Sequence, residues 1–116
     1  QEFPAAVTPE AVLDPEAHAA IDDQTQFYQV QVFDCCDEDG DIVEIVVNGQ
    51  PFMTVPIMHE AATISIPLSH GANSISLRGV KDGSGGITVS FRTSEGRYFS
   101  RRMLVGEEQQ LGVIVR

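Results

Sequence analysis

The chain has 116 residues, 42% hydrophobic and 21% charged, with a formal net charge of −10. This is the composition of one globular domain, long enough to bury a core without relying on metal or disulfides. No apolar run reaches the length of a membrane span, so no membrane insertion is expected, and the acidic balance opposes nucleic acid as a partner.

The charge is unevenly distributed. Residues 1 to 77 hold 13 of the 17 acids and no Lys or Arg. The seven bases (Arg78, Lys81, Arg92, Arg97, Arg101, Arg102 and Arg116) face only four acids in the remainder. Either the acidic surface is simply solvated, or the molecule is two-faced and its acidic part meets the basic part of a neighbour. The second reading makes Arg97, Arg101 and Arg102 candidate interface residues.

Residues 1 to 24 form a distinct N-terminal arm rich in Ala, Pro, Asp and Glu. Its opening, QEFPAAVTPE, lacks a methionine and fits a mature N-terminus left by signal cleavage, hence a secreted protein. Two short helices could start in the arm, at Thr8 (TPEAVL) and Asp14 (DPEAHAAI), each with a capping residue, a proline at the first helical position and an early Glu. The sparse apolar residues Phe3, Val7, Val12 and Leu13 cannot form a core alone, so the arm is expected to dock on its own domain or on another chain.

From residue 25 to 116 the hydrophobic period is two, and these residues are predicted to form a single all-β domain. Tyr28, Val30 and Val32 share one face of TQFYQVQVFD, and Val43, Ile45 and Val47 one face of VEIVVN. PFMTVPIM reads as a strand near a sheet edge because of Pro51 and Pro56. Alternation continues with Ile64, Ile66 and Leu68, then Ile75 and Leu77, then Ile87, Val89 and Phe91. RYFSRRM and then Leu111, Val113 and Val115 complete the series. Turn signals separate the runs: Asn48-Gly49, SHGAN at 69 to 73, KDGSGG at 81 to 86 and SEG at 94 to 96. Seven or eight short strands at this spacing predict an antiparallel β-sandwich, Ig-like or jelly-roll-like.

The segment FDCCDEDGDIVE, residues 33 to 44, carries six carboxylates and no base. Calcium takes six to eight hard oxygen ligands, and Asp34, Asp37, Asp39 and Asp41 on a glycine-containing loop are of that kind. Asp82 in the KDGSGG turn is a further candidate, reaching in from across the sandwich. The loop is not an EF-hand, because the residues after Asp41 read as a strand and the closing Glu is missing. The alternative is a hydrated acidic hairpin that holds no ion. His18, His59 and His70 have no transition-metal spacing.

Cys35 and Cys36 are the only cysteines. Adjacent cysteines fall short of the usual Cα separation of a disulfide, so three states stay open: free thiols, a vicinal bond, or bonds to another chain.

The pieces DGDIVEIVVNG (39 to 49), PLSHGANSISL (67 to 77) and DGSGGITV (82 to 89) together resemble a group of small secreted bacterial β-sandwich modules. The resemblance spans roughly residues 28 to 92. It implies a place outside the cell or on its surface, and a role as an accessory, calcium-dependent carbohydrate-binding or structural domain. It also implies that Asp39 and Asp41 ligate calcium with help from Asp34. The cysteine pair and the arm lie outside the pattern.

No catalytic motif is present. There is no Gly-x-Ser-x-Gly, the glycines of 83 to 86 lead into a strand and not a helix, and His59 and His70 read as surface residues. The absence of Trp disfavours a sugar-cleaving cleft and leaves Tyr28, Phe52, Tyr98 or Phe99 as aromatic platforms. The sequence thus predicts a non-enzyme. The leading expectation is a self-assembling subunit of an extracellular filament or surface layer, a homo-oligomer or polymer whose arm adds as a strand to the next copy. The alternatives are a calcium-dependent polysaccharide-binding module and a monomeric secreted accessory domain.

Overall fold

The computed structural model describes residues 12–13, 25–36 and 38–116. Among these residues there is no helix, and nine strands pair antiparallel in two sheets. They are β1 (Val12–Leu13), β2 (Gln26–Phe33), β3 (Ile42–Val47), β4 (Gln50–Pro56), β5 (Ala62–Leu68), β6 (Gly71–Lys81), β7 (Ile87–Thr93), β8 (Tyr98–Met103) and β9 (Glu108–Val115). One sheet runs β1-β4-β3-β6-β9 and the other β5-β2-β7-β8. All eight strand runs expected from period-two alternation are present, and the fold is the predicted sandwich.

Alternation works as expected because each strand buries one face and wets the other. Val30, Val32, Val43, Ile45, Val55, Ile64, Ile66, Ile87 and Val89 are completely closed off from solvent. Two departures have local causes. Between β3 and β4 the register slips after Ile45, which pairs with Met53 while Val46 pairs with Pro51. The resulting bulge lets the consecutive Phe52 and Met53 both enter the core. The second slip, between β3 and β6, falls around Val80 and leaves that side chain 41% exposed.

Turn chemistry fixes the connections. Asn48 and Gly49 both have positive φ, 51° and 81°, the two-residue hairpin that Asn-Gly suits. The SHGAN signal is shorter than expected as a turn, since Gly71 already opens β6 opposite Val115. Asn73 then folds back on this corner. It is buried, its Nδ2 donates to the carbonyls of Ser69 and Gly71, and its Oδ1 accepts from Ser69 N, Ser69 Oγ and Asn48 Nδ2. Asn48 Oδ1 in turn accepts from Ser74 N. The Asn-Gly and G-x-N pieces of the sequence are therefore two halves of one corner.

The arm corrects one expectation. Val12 and Leu13, inside the predicted Thr8 helix, are strand, paired with Thr54 and Met53 of β4. An exposed strand edge offers a row of backbone groups, and pairing with it outweighs the weak preference of so short a helix. The Asp14 helix start, Phe3 and Val7 lie outside the described residues. Among the described residues, β4 is an edge strand apart from this two-residue cover, as Pro51 and Pro56 suggested.

The opposite edges are guarded differently. β8 ends one sheet and β9 the other, and two arginines, Arg97 just before β8 and Arg101 within it, reach across to β9. Arg97 donates to the Gly112 carbonyl at 2.6 Å. Arg101 donates to the Glu108 carbonyl and to Gln109 Oε1, and lies 3.7 Å from the Glu107 carboxylate.

Candidate functional site

The acidic segment is the connection that carries the chain from β2 in one sheet to β3 in the other. Its two ends continue the core-facing phase of their strands. Tyr28, Val30 and Val32 point inward on β2, and Asp34 is the next residue in phase. Val43, Ile45 and Val47 point inward on β3, and Asp41 is the residue in phase before them. Both carboxylates are consequently buried, Asp34 at 2% exposure and Asp41 at 1%. Backbone pairing holds the two ends to the segment after β4: Asp34 N donates to the Met58 carbonyl and Ile57 N to that of Asp41.

Asp34, Asp39 and Asp41 each bring a carboxylate oxygen within 4.8 Å of the others. Several of these carboxylate oxygens accept from backbone donors. Asp34 Oδ1 accepts from Cys36 N at 2.8 Å, Asp41 Oδ1 from Gly83 N at 2.8 Å, and Asp41 Oδ2 from Thr88 N at 3.4 Å. Asp34 Oδ2 and Asp39 Oδ1 are shut off from solvent and have no hydrogen-bond partner among the described residues. Burial, then the hydrogen bond and charge of Asp41 and the charge of Asp34, push the Asp39 carboxyl above its ordinary value. Asp39 as a residue is half-buried, but its Oδ1 is enclosed. A buried acceptor without a donor is destabilising, more so when charged. A hard cation is the partner that three clustered carboxylate oxygens suit, with backbone carbonyls and water completing its shell.

Of the predicted ligands, then, Asp34, Asp39 and Asp41 come together. Asp37 lies outside the described residues. Asp82 turns into its own loop, where both its oxygens accept from Gly86 N. What the glycine-rich turn contributes instead is backbone. Gly83 N donates to Asp41, and Gly83 packs so closely on Asp39 that a Cβ there would stand 1.6 Å from the Asp39 carbonyl oxygen. Sequence reasoning missed this role. Its only trace is a glycine following Asp82 in a turn that must lie against something.

Cys35 and Cys36 are joined to each other, with Cα atoms 3.8 Å apart. Of the three states open from the sequence, the structure has the vicinal bond. Both residues are exposed, and Ser100 Oγ lies 4.0 Å from Cys35 Sγ. His59 flanks the loop: its backbone N–H donates to Glu38, and its Nε2 lies 2.5 Å from the Cys36 carbonyl oxygen.

The candidate interface residues are engaged within the chain. Arg97 and Arg101 hold β9, Arg102 donates to the Gly85 carbonyl, and Val12 and Leu13 pair with β4. Among the possible aromatic platforms, Phe52 is in the core, Phe99 stacks on Phe91 at 5.1 Å, and Tyr28 is 9% exposed. Tyr98 is open at 57%, as is Phe27 at 56%, which lies out of phase with the core of β2 and was not singled out by the sequence. Phe27 borders a cleft of about 360 Å³ with Tyr28, Leu68, Glu95, Ile114 and Arg116. There Tyr28 donates to Glu95 at 2.8 Å, and burial, with the Glu95 carboxylate adding to it, raises the phenol above its ordinary value. This cleft is at the Gln26 end of β2, roughly 23 Å from the acidic cluster at about 3.3 Å per residue.

No protein family, curated protein or solved structure matched this chain.

Proposed function

We propose that this protein is a non-catalytic, calcium-braced β-sandwich that serves as a structural subunit of an assembly outside the cell. The observation that carries the calcium half is the enclosed cluster of Asp34, Asp39 and Asp41, with two buried oxygens lacking any donor. A calcium ion would neutralise the cluster and tie the β2–β3 connection to the 82–86 turn. Its role in this reading is to brace, and it takes part in no reaction.

The assembly half is supported by the edge of β4. Among the described residues, that edge pairs with the arm at two positions, Val12↔Thr54 and Leu13↔Met53. In the order of the sheets, β4 and β3 and likewise β5 and β2 come from the first 77 residues, β9, β7 and β8 from the basic remainder, and β6 spans the change of charge at Arg78. An arm leaving one copy and adding to β4 of the next would be a head-to-tail contact, which propagates when its rotation does not close.

Light scattering of the native protein with calcium and then with chelator tests both halves. A large species that falls apart in chelator is expected. A monomer under both conditions would overturn the assembly, and absence of calcium binding by calorimetry would overturn the brace. A second reading, a polysaccharide-binding module, is favoured by the Phe27 cleft, where an exposed aromatic ring meets Glu95 and Arg116. Retention on immobilised polysaccharide, lost on Phe27→Ala, would decide for it.

A further inference from the structure

We propose that Cys35, Cys36 and Asp34 form a second metal site, created when the vicinal disulfide is reduced and selective for a soft divalent cation such as Zn2+ or Cd2+. Both sulfurs and a carboxylate oxygen of Asp34 lie within 4.8 Å of one another. Asp34 is 98% buried by its 2% exposure, and its Oδ2 has no hydrogen-bond partner. The carboxylate is therefore held in place by the Cys36 N–H at Oδ1, while the two sulfurs stand exposed beside it and accessible to a reductant.

The chemistry favours this exchange. Adjacent residues fall short of the Cα separation usual for a disulfide, and exposed disulfides of that kind are the labile ones. Two thiolates on a tetrahedral ion stand about 3.8 Å apart, a span that neighbouring side chains reach with less constraint. The step balances with a dithiol as reductant: the protein S–S bond is cleaved to two thiols, and the dithiol closes to its own disulfide. Binding of the cation then releases two protons to solvent as the Cys35 and Cys36 thiolates form. Water supplies the fourth ligand. Thiolates select a soft ion where the three carboxylates select a hard one.

Asp34 belongs to both groups of ligands. Resting here on the calcium reading above, the inference makes the two sites mutually exclusive. Reduction would turn the loop from a hard-cation site into a soft-cation site, and each ion would weaken the other's binding by the same factor.

The test is Cd2+ titration of the whole chain, oxidised and then reduced with a water-soluble phosphine, which takes its oxygen from water and leaves no competing thiol. Calorimetry and the ultraviolet thiolate-to-cadmium charge-transfer band are read together. The reduced protein should bind one Cd2+ with that band and at least a hundredfold more tightly than the oxidised protein. Asp34→Asn should weaken binding about tenfold and keep the band, and Cys36→Ser should diminish it. Circular dichroism confirms that each form is folded. Equal affinity in the two redox states, or binding without the band, would overturn the soft-metal site. A parallel calcium titration separates the two readings: if the oxidised protein takes no calcium while the reduced protein gives the band, the soft site stands and the calcium brace and the exclusivity fall. Cadmium binding that is indifferent to calcium, in a protein that binds both, would overturn the sharing of Asp34.

Discussion

Asn73 and Asp39 show how differently two polar side chains behave at the ends of this sandwich. Asn73 is buried with five hydrogen bonds and no charge, so its satisfaction is complete within the chain. Asn73→Ala should cost about 1–2 kcal/mol in urea unfolding, because it removes the buried amide that joins Ser69, Gly71 and Asn48, whose own groups lie near the surface, where water can satisfy them in part. Asp39 is the reverse case. Its carboxyl is raised above the ordinary value of 3.8, mainly by burial and by Asp41. The folded state therefore holds this proton more tightly than the unfolded state does. Its contribution is favourable below the ordinary carboxylate range and is lost as pH rises through the raised value. In chelator, Asp39→Asn should melt higher than the parent at neutral pH, and the advantage should vanish below about pH 3.8. With calcium in excess the order should reverse, since the substitution removes a charged ligand. An Asn variant no more stable than the parent in chelator at neutral pH would count against the repulsion.

At the scale of elements, the connection from β2 to β3 and the turn from β6 to β7 act as one unit. Gly83 donates to Asp41 and lies against the Asp39 backbone, so Gly83→Ala must push the turn off the acidic segment. The expected outcome is a lower melting temperature together with calcium affinity at least tenfold weaker. A variant that lost stability but kept its affinity would show that the turn does not shape the site. The edges form a second pair of elements. Arg97 and Arg101 occupy carbonyls of β9 that would otherwise be available to a foreign strand. Replacing both by Ala should promote self-association, visible as a concentration-dependent mass in sedimentation. This effect differs in sign from that of deleting residues 1 to 24, which should abolish association and leave the sandwich folded.

For the whole molecule, the proposed calcium site at the enclosed cluster would make stability a function of calcium. An ion that binds only the folded state adds about 2.7 kcal/mol at a hundredfold excess over its Kd. For a domain of this size that corresponds to a rise in Tm on the order of 10 °C. Thermal melts across a calcium series should follow the logarithm of concentration above Kd, and a flat series would remove the brace. The linear charge asymmetry also acquires a spatial meaning, because the acidic stretch supplies β2 to β5, the basic stretch supplies β7 to β9, and β6 between them carries the change of charge at Arg78.

The period of two, the Asn-Gly hairpin and the spacing of turn signals determined the eight long strands and the sandwich, because burial on one face of a pleated strand imposes alternation on the sequence itself. The crowding of carboxylates before β3 likewise marked Asp34, Asp39 and Asp41 as candidate ligands. Only the tertiary structure decided that Asp34 and Asp41 face inward, that Asp82 is turned away, and that Gly83 stands in for it through its backbone. It also decided that Cys35 bonds to Cys36, that Val12 and Leu13 are strand, and that Arg97 and Arg101 serve β9. The reason is common to all of these. They depend on which segments meet across the two sheets, and contacts between residues such as Asp41 and Gly83, 42 positions apart, leave no periodic trace in either segment.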